Sequence, residues 1–177
     1  LQQRAVLTAR PTSYNDKLMM DLLLSLDLAT DRDTRDLGAR LAKVVQAGDC
    51  LALRGNLGAG KTTLARGLIC AFLGADTEVP SPTFTLVQRY EPDLDEQPSA
   101  TELLHFDLYR LEDPQDIWEL GWEELDEVIS LVEWPDKAGP HLSPRHLDIE
   151  IMSIGDHRRA HLSASPTSNW KLRLHDF

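Results

Sequence analysis

The stretch Gly55-Asn56-Leu57-Gly58-Ala59-Gly60-Lys61-Thr62-Thr63 fits the pattern G-x-x-x-x-G-K-[ST], and its reading decides the fold around it. Such a loop turns successive backbone N–H groups inward around phosphate oxygens. Gly55, Gly58 and Gly60 permit that curvature because they carry no Cβ to clash. The candidate phosphate cradle is therefore Asn56, Leu57, Gly58, Ala59, Gly60, Lys61, Thr62 and Thr63. Within it, the Lys61 ammonium reaches the β- and γ-phosphates and the Thr62 hydroxyl ligates Mg²⁺.

The flanks supply the elements this loop needs. Before it, Asp49-Cys50-Leu51-Ala52-Leu53-Arg54 is short and mostly apolar, as a buried parallel strand is. After it, Leu64, Leu68 and Phe72 recur every fourth residue, beside Ala65, Ile69 and Leu73, and Gly74 gives a stop. That predicts a helix whose N-terminal dipole end adds to the same anion site. Upstream, Thr30 to Thr34 supplies N-cap chemistry for a helix over about Thr34 to Gln46, with Leu37, Leu41, Val44 and Val45 on one face. Thr34 reads either as a cap-region residue or as one near a nucleotide base. The apolar cluster Leu18 to Leu28 fits a short helix or an opening strand equally well.

Downstream, two strand ends carry acids. Leu103-Leu104-His105-Phe106-Asp107 is an apolar strand ending in a carboxylate, the Walker-B arrangement in which the acid holds Mg²⁺ directly or through water. Val128-Ile129-Ser130-Leu131-Val132-Glu133 repeats the design, with Trp134-Pro135 stopping the strand. In open α/β sheets ligands sit at the carboxyl ends of strands, so Asp107 and Glu133 compete for the metal. One of them could instead be structural, paired with Arg110 or Lys137. His105 reads as a packed residue. Between the first helix and these strands, Pro80-Ser81-Pro82-Thr83 precedes a strand pattern over Phe84 to Tyr90. The Ser81 and Thr83 hydroxyls suit either a switch loop that contacts the γ-phosphate or a plain proline-rich turn. Asp113-Pro114 starts a helix that breaks at Gly121, and a second short helix is expected over Trp122 to Glu127. Glu91 to Thr101 is acidic and reads as a solvated loop. The remainder alternates as strands: Leu147, Ile149 and Ile151, then Arg158 to Ala164, then Trp170 to Leu174, with a turn at Gly155-Asp156.

Composition narrows the class of partner. The chain has 177 residues, with 29 acidic against 18 basic side chains and a net charge of −11. An extended nucleic-acid surface calls for a basic face, which this balance disfavours. No apolar run approaches the roughly 18–20 residues of a membrane span. The Leu18–Leu24 cluster is interrupted by Asp21 and lacks a signal-peptide cleavage pattern, so the expected location is the cytoplasm. Cys50 and Cys70 have no C-x-x-C spacing and read as buried thiols in a reducing compartment.

Four blocks in this order resemble the TsaE (YjeE) family: 55–63, Ser-Pro-Thr-Phe-Thr-Leu-Val at 81–87, His-Phe-Asp-Leu-Tyr-Arg-Leu at 105–111, and Val-Glu-Trp-Pro at 132–135. The resemblance runs from about Thr30 to Ala164. It implies an ATPase of bacterial tRNA threonylcarbamoyladenosine (t6A) biosynthesis that binds ATP and Mg²⁺ and partners the TsaB and TsaD proteins. tRNA is met only indirectly, through that complex, and no membrane is involved. By the same resemblance Thr62 and Glu133 ligate Mg²⁺, while Asp107 supports the metal or orients the attacking water. Trp134 lies beside the nucleotide, Thr34 near the base, and Arg158 approaches from the C-terminal hairpin. The catalytic set is then Lys61, Asp107 and Glu133, with Ser81 and Thr83 on the nucleotide. The expected fold is α/β, a P-loop NTPase-like three-layer domain with a mixed, mainly parallel sheet and antiparallel edge strands. Residues 1–20 would form a flexible extension before a single domain over 21–177. The competing class is a small-molecule kinase, which usually adds an Arg-rich lid; the acidic stretch over Glu91–Thr101 does not supply one. Arg89 and Arg110 are the candidate arginine fingers within the chain, unless a partner completes the site.

Overall fold

The computed structural model describes residues 20–92 and 101–177. Both the flexible extension expected over 1–20 and the solvated loop expected over Glu91–Thr101 lie almost wholly outside them. Among the described residues the strands are β1 (Asp21–Leu28), β2 (Cys50–Arg54), β3 (Val87–Tyr90), β4 (Leu103–Asp107), β5 (Ile129–Glu133), β6 (Leu147–Ile154) and β7 (His157–Ala164). They form one seven-stranded sheet in the order β1-β7-β6-β2-β5-β4-β3. The centre, β6-β2-β5-β4, is parallel. The antiparallel pairings of β7 with β6 and with β1, and of β3 with β4, lie outside it. This is the mixed α/β sheet expected of the class.

β2 sits at the middle because both its faces are apolar. Leu51 and Leu53 join the core beneath the helices α1 (Asp31–Leu41) and α2 (Lys61–Leu73), while Cys50 and Ala52 join a second core on the other face. That second core lies under short 3-10 segments, Pro114–Leu120 among them. The two helices touch backbone to backbone. A Cβ on Gly38 would come 2.2 Å from the Leu64 carbonyl oxygen, and one on Gly67 would come 2.2 Å from that of Arg35. Either substitution would push the layer apart.

Several local expectations change. Of the apolar cluster Leu18 to Leu28, the stretch Asp21–Leu28 is a strand, because β1 pairs with β7 along its length. α1 begins earlier than the apolar spacing suggested, at Asp31, since Thr30 and Asp33 form a capping box: Asp33 N donates to Thr30 Oγ1 at 3.2 Å and Thr30 N to Asp33 Oδ2 at 2.8 Å. β3 starts only at Val87. Leu86 N turns back to the Pro82 carbonyl at 2.7 Å and Leu86 takes φ 64°, so 83–86 form a turn that leaves Phe84 exposed. The region from Pro114 to Glu124 winds as 3-10 turns in place of α-helix. Trp170–Leu174 is not a strand. Trp170–Arg173 is a short helix, α3, in which Trp170 and Leu174, four apart, are both buried while Leu172 is exposed. The Trp170 indole N–H donates to the Arg145 carbonyl at 3.1 Å, which anchors the turn. No helix among the described residues is long and apolar enough to cross a membrane.

Candidate active site

β2 delivers the chain into the glycine loop at the carboxyl end of the sheet. Gly55 takes φ 136°, and a Cβ there would strike the Ile151 carbonyl oxygen at 2.5 Å. Gly58 takes φ 78° with nothing within 4 Å of its Cβ direction, so the cradle is open on that side. Gly60, at φ 109°, is the N-cap of α2 and brings no capping side chain. The first N–H groups of a thirteen-residue helix are thus left for an anion.

Lys61 is nearly fully buried and folds back over the loop. Its Nζ donates to the carbonyls of Gly55 (2.9 Å) and Asn56 (3.1 Å) and stands 3.9 Å from the Trp134 ring centroid. Burial pulls its pKa below the ordinary lysine value, against the attraction of Glu133 and Asp107. Trp134 reaches this position through a left-handed backbone, φ 58° and ψ 49°, immediately before Pro135. The Tyr109 ring packs on it with centroids 5.0 Å apart.

The two strand-end acids are partners in register, Asp107 on β4 opposite Glu133 on β5, with Leu53 of β2 opposite Glu133 on the other side. Both are buried, yet they do different things. Glu133 Oε1 accepts the Thr62 hydroxyl at 2.8 Å and lies 3.0 Å from His105 Nε2. Asp107 Oδ2 accepts the Thr83 hydroxyl at 2.7 Å, and its Oδ1 accepts the Tyr109 N–H at 3.1 Å. Thr83 Oγ1 is in turn 2.8 Å from Ser81 Oγ. One acid is therefore tied to the phosphate loop and its neighbour to the 81–83 loop.

Thr34 and Arg158 flank the cradle at Gly60. The Thr34 methyl lies 3.5 Å, and Arg158 Cδ and Nε each 3.9 Å, from where a Gly60 Cβ would be. Thr34 is buried and its hydroxyl donates to the Thr30 carbonyl at 3.4 Å, a cap-region contact. Arg158 Nη1 donates to Asp31 Oδ1 at 2.6 Å. Of the loop side chains, Leu57 is 82% exposed and Ala59 is buried.

Neither structural pairing proposed for the acids forms. Lys137 Nζ donates to the Leu111 carbonyl at 2.9 Å, and the Arg110 guanidinium lies 4.5 Å from the Phe84 ring centroid. Arg89 is held by Glu102 and Glu124 at the amino end of the parallel strands, away from the cradle. Two contributors escaped the sequence reading. Tyr109 buttresses Trp134, and His105 is packed, as expected, but also hydrogen-bonded to Glu133. The period of a strand was the available signal, since His105 lies on the same face as Asp107 two residues on.

The donor set fits Mg²⁺. A hydroxyl and two carboxylates offer hard oxygens, and the described residues hold no group of three or more His, Cys, Asp or Glu that would form a closed cage. Mg²⁺ prefers such a partial set, completed by water and phosphate oxygens.

Comparison with known proteins identifies the family and the fold. The family model described as threonylcarbamoyl adenosine biosynthesis protein TsaE matches residues 28–161. The chain is 35% identical over 153 residues to a Rickettsia felis protein named tRNA threonylcarbamoyladenosine biosynthesis protein TsaE, covering 86% of this chain and 85% of that one. A protein of the same name from Mycobacterium tuberculosis is 37% identical over 129 residues, covering 69% and 74%. The crystal structure of Bacillus subtilis YdiB shares the fold, with a TM-score of 0.69 at 24% identity over 89% of this chain and 95% of that one.

Proposed function

This chain belongs to the TsaE family, and on that premise we propose that it is an Mg²⁺-dependent ATPase of tRNA threonylcarbamoyladenosine biosynthesis. It acts in the cytoplasm as an accessory subunit of TsaB–TsaD and meets tRNA only through that complex. The observation that carries the reading is the hydrogen bond from Thr62 to Glu133 at the first turn of α2. With its proton committed to the carboxylate, the Thr62 oxygen offers its lone pairs to a metal beside the phosphates.

The backbone of Gly58–Thr63 and the Lys61 ammonium bind the triphosphate, whose oxygens replace the loop carbonyls that Lys61 now contacts. Thr62 and Glu133 would hold Mg²⁺, which when bound would supply charge neutralisation to the triphosphate. Asp107, fixed by Thr83 and backed by Ser81, orients the water that attacks the γ-phosphorus. Thr34, Trp134 and Arg158 line the nucleotide. Catalysis of this kind is positioning and charge stabilisation, with free phosphate as the product and no phosphorylated metabolite. Of the arginines considered for the site, Arg89 and Arg158 are paired with acids and Arg110 is stacked on Phe84. A partner that completes the site would therefore speed turnover. The test measures phosphate release with and without TsaB–TsaD, together with a pull-down in the presence and absence of ATP and Mg²⁺. Faster release and nucleotide-dependent association are expected; equal rates and no association under any condition would overturn the proposal.

A further inference from the structure

The imidazole of His105 is fully buried on β4, on the sheet face that packs beneath α1 and α2, where its register partner Leu131 belongs to the apolar core. A leucine would fill such a place at no polar expense. The imidazole instead leaves its Nδ1 buried without a hydrogen-bond partner among the described residues. An unpaired buried acceptor is unfavourable, so the ring must be retained for its other nitrogen. That nitrogen, Nε2, lies 3.0 Å from Glu133 Oε1, diagonally across from the next strand. A carboxylate oxygen only accepts, so Nε2 carries the proton and donates. The same Oε1 also receives the Thr62 hydroxyl at 2.8 Å. With two donors converging on Oε1, the rotation of the carboxylate is fixed, and Oε2 makes no hydrogen bond among the described residues.

We propose that His105 is a positioning residue for the metal: by donating to Glu133 Oε1 it fixes the carboxylate so that Oε2 is presented to Mg²⁺. This rests on the reading of Thr62 and Glu133 as metal ligands. Ligating carboxylates are commonly oriented by such a second hydrogen bond, and loss of the orienting partner weakens metal binding by about 10–100-fold. Nucleotide binding in the absence of metal depends on the glycine loop and Lys61, with neither of which His105 shares a hydrogen bond.

The experiment measures ATP affinity of the full chain by titration calorimetry, once in EDTA and once in saturating Mg²⁺. The readout is the ratio of the two affinities. His105→Gln places an amide N–H near the Nε2 position, whereas His105→Asn places it one atom short, near Nδ1; the pair share chemistry and differ in reach. The inference expects His105→Asn, and the apolar His105→Leu, to lower the Mg²⁺ ratio about tenfold or more while the EDTA affinity stays within about twofold. His105→Gln should restore most of the ratio. In a Glu133→Gln background His105→Asn should cause no further loss. A parental ratio kept by His105→Asn, or equal losses in EDTA and Mg²⁺, would overturn the inference and leave His105 a packing residue. Absence of any Mg²⁺ enhancement in the parent protein would instead overturn the metal-site reading beneath it. Should His105→Leu not fold, the Gln–Asn pair decides alone.

Discussion

The amino end of the parallel strands and the nucleotide cradle at their carboxyl end treat charge in opposite ways. At the amino end, acids meet bases. Asp49 forms a bidentate pair with Arg173 at 2.5 and 2.8 Å, and Arg89 bridges Glu102 and Glu124. At the carboxyl end, Arg54 of β2 is paired with Asp136 and Asp148 outside the cradle. Within the cradle Asp107 and Glu133 meet hydroxyls and an imidazole, and Lys61, the one buried ammonium among the described residues, rests on carbonyls and an indole face. Cation and acids are close enough to attract, but no ion pair closes between them. Charges cancelled within the fold serve stability; charges held near one another and left uncancelled are available to a ligand.

The sharpest way to break this contrast is to exchange the penalties. Lys61→Ala should reduce ATP hydrolysis about 10³-fold, by removal of a donor aimed at developing phosphate charge. Its melting temperature should be unchanged or higher, because burial opposes the charged form of Lys61. Phosphate release and a thermal melt on one preparation decide the matter, and a large loss of stability would erase the distinction. The reverse is expected for Arg173→Ala. Asp49 would be left half-buried and uncompensated, and the stacking of Arg173 on Trp170 at 3.7 Å would be lost. Stability should fall by about 3 kcal/mol in urea unfolding, with hydrolysis per folded molecule unaltered.

Two smaller effects sharpen each end. Thr83→Val removes the hydroxyl that fixes Asp107 and should slow hydrolysis about tenfold, the equivalent of one hydrogen bond to a charged group. Nucleotide affinity in EDTA should not move; if it falls in parallel, the 81–83 loop binds nucleotide and does more than orient. His146, just before β6, gives the smallest effect. Burial depresses its pKa below the ordinary histidine value, outweighing the Ser143 carbonyl and Asp148, while the Arg54 charge adds to the depression. The unfolded chain therefore binds a proton first, and stability is full above the ordinary histidine pKa and declines as pH falls from there to the depressed value. Unfolding midpoints across that window should flatten in His146→Leu; an unchanged slope would assign the acid sensitivity elsewhere.

The contrast also explains what could be read from the sequence. The loop, β2, α2, β4 and β5 were legible because each is a local pattern: glycine spacing, a four-residue helical period, an apolar run ending in an acid. Trp170–Arg173 was misread because five residues with Trp170, Leu172 and Leu174 apolar satisfy alternation, while the burial that selects helix depends on Arg145, remote in sequence. α1 began earlier than its apolar face indicated because a capping box, and not hydrophobicity, set its start. At the site, the identity of the acids was legible but their division of labour was not. Thr62 finds Glu133 71 positions away and Thr83 finds Asp107 24 away, pairings that only the sheet register creates. His105 shows the same limit, since one apolar-strand pattern accommodates both a filler and a hydrogen-bond donor.

The position of β6 between β2 and β7 carries a consequence for the order in which the molecule is built. A chain emerging from the ribosome only as far as Glu133 already contains the glycine loop, Lys61 and both strand-end acids. Yet β2, the strand that holds the loop, is then an open edge, because its second neighbour spans Leu147–Ile154. Arg158, which closes the cradle beside Gly60, arrives later still and meets Asp31 across a separation of 127 residues. Contacts of such long range form slowly and late. The nucleotide site is thus completed by the last pairings of the sheet, and a nascent chain carries the chemistry of ATP binding well before it has the architecture to use it.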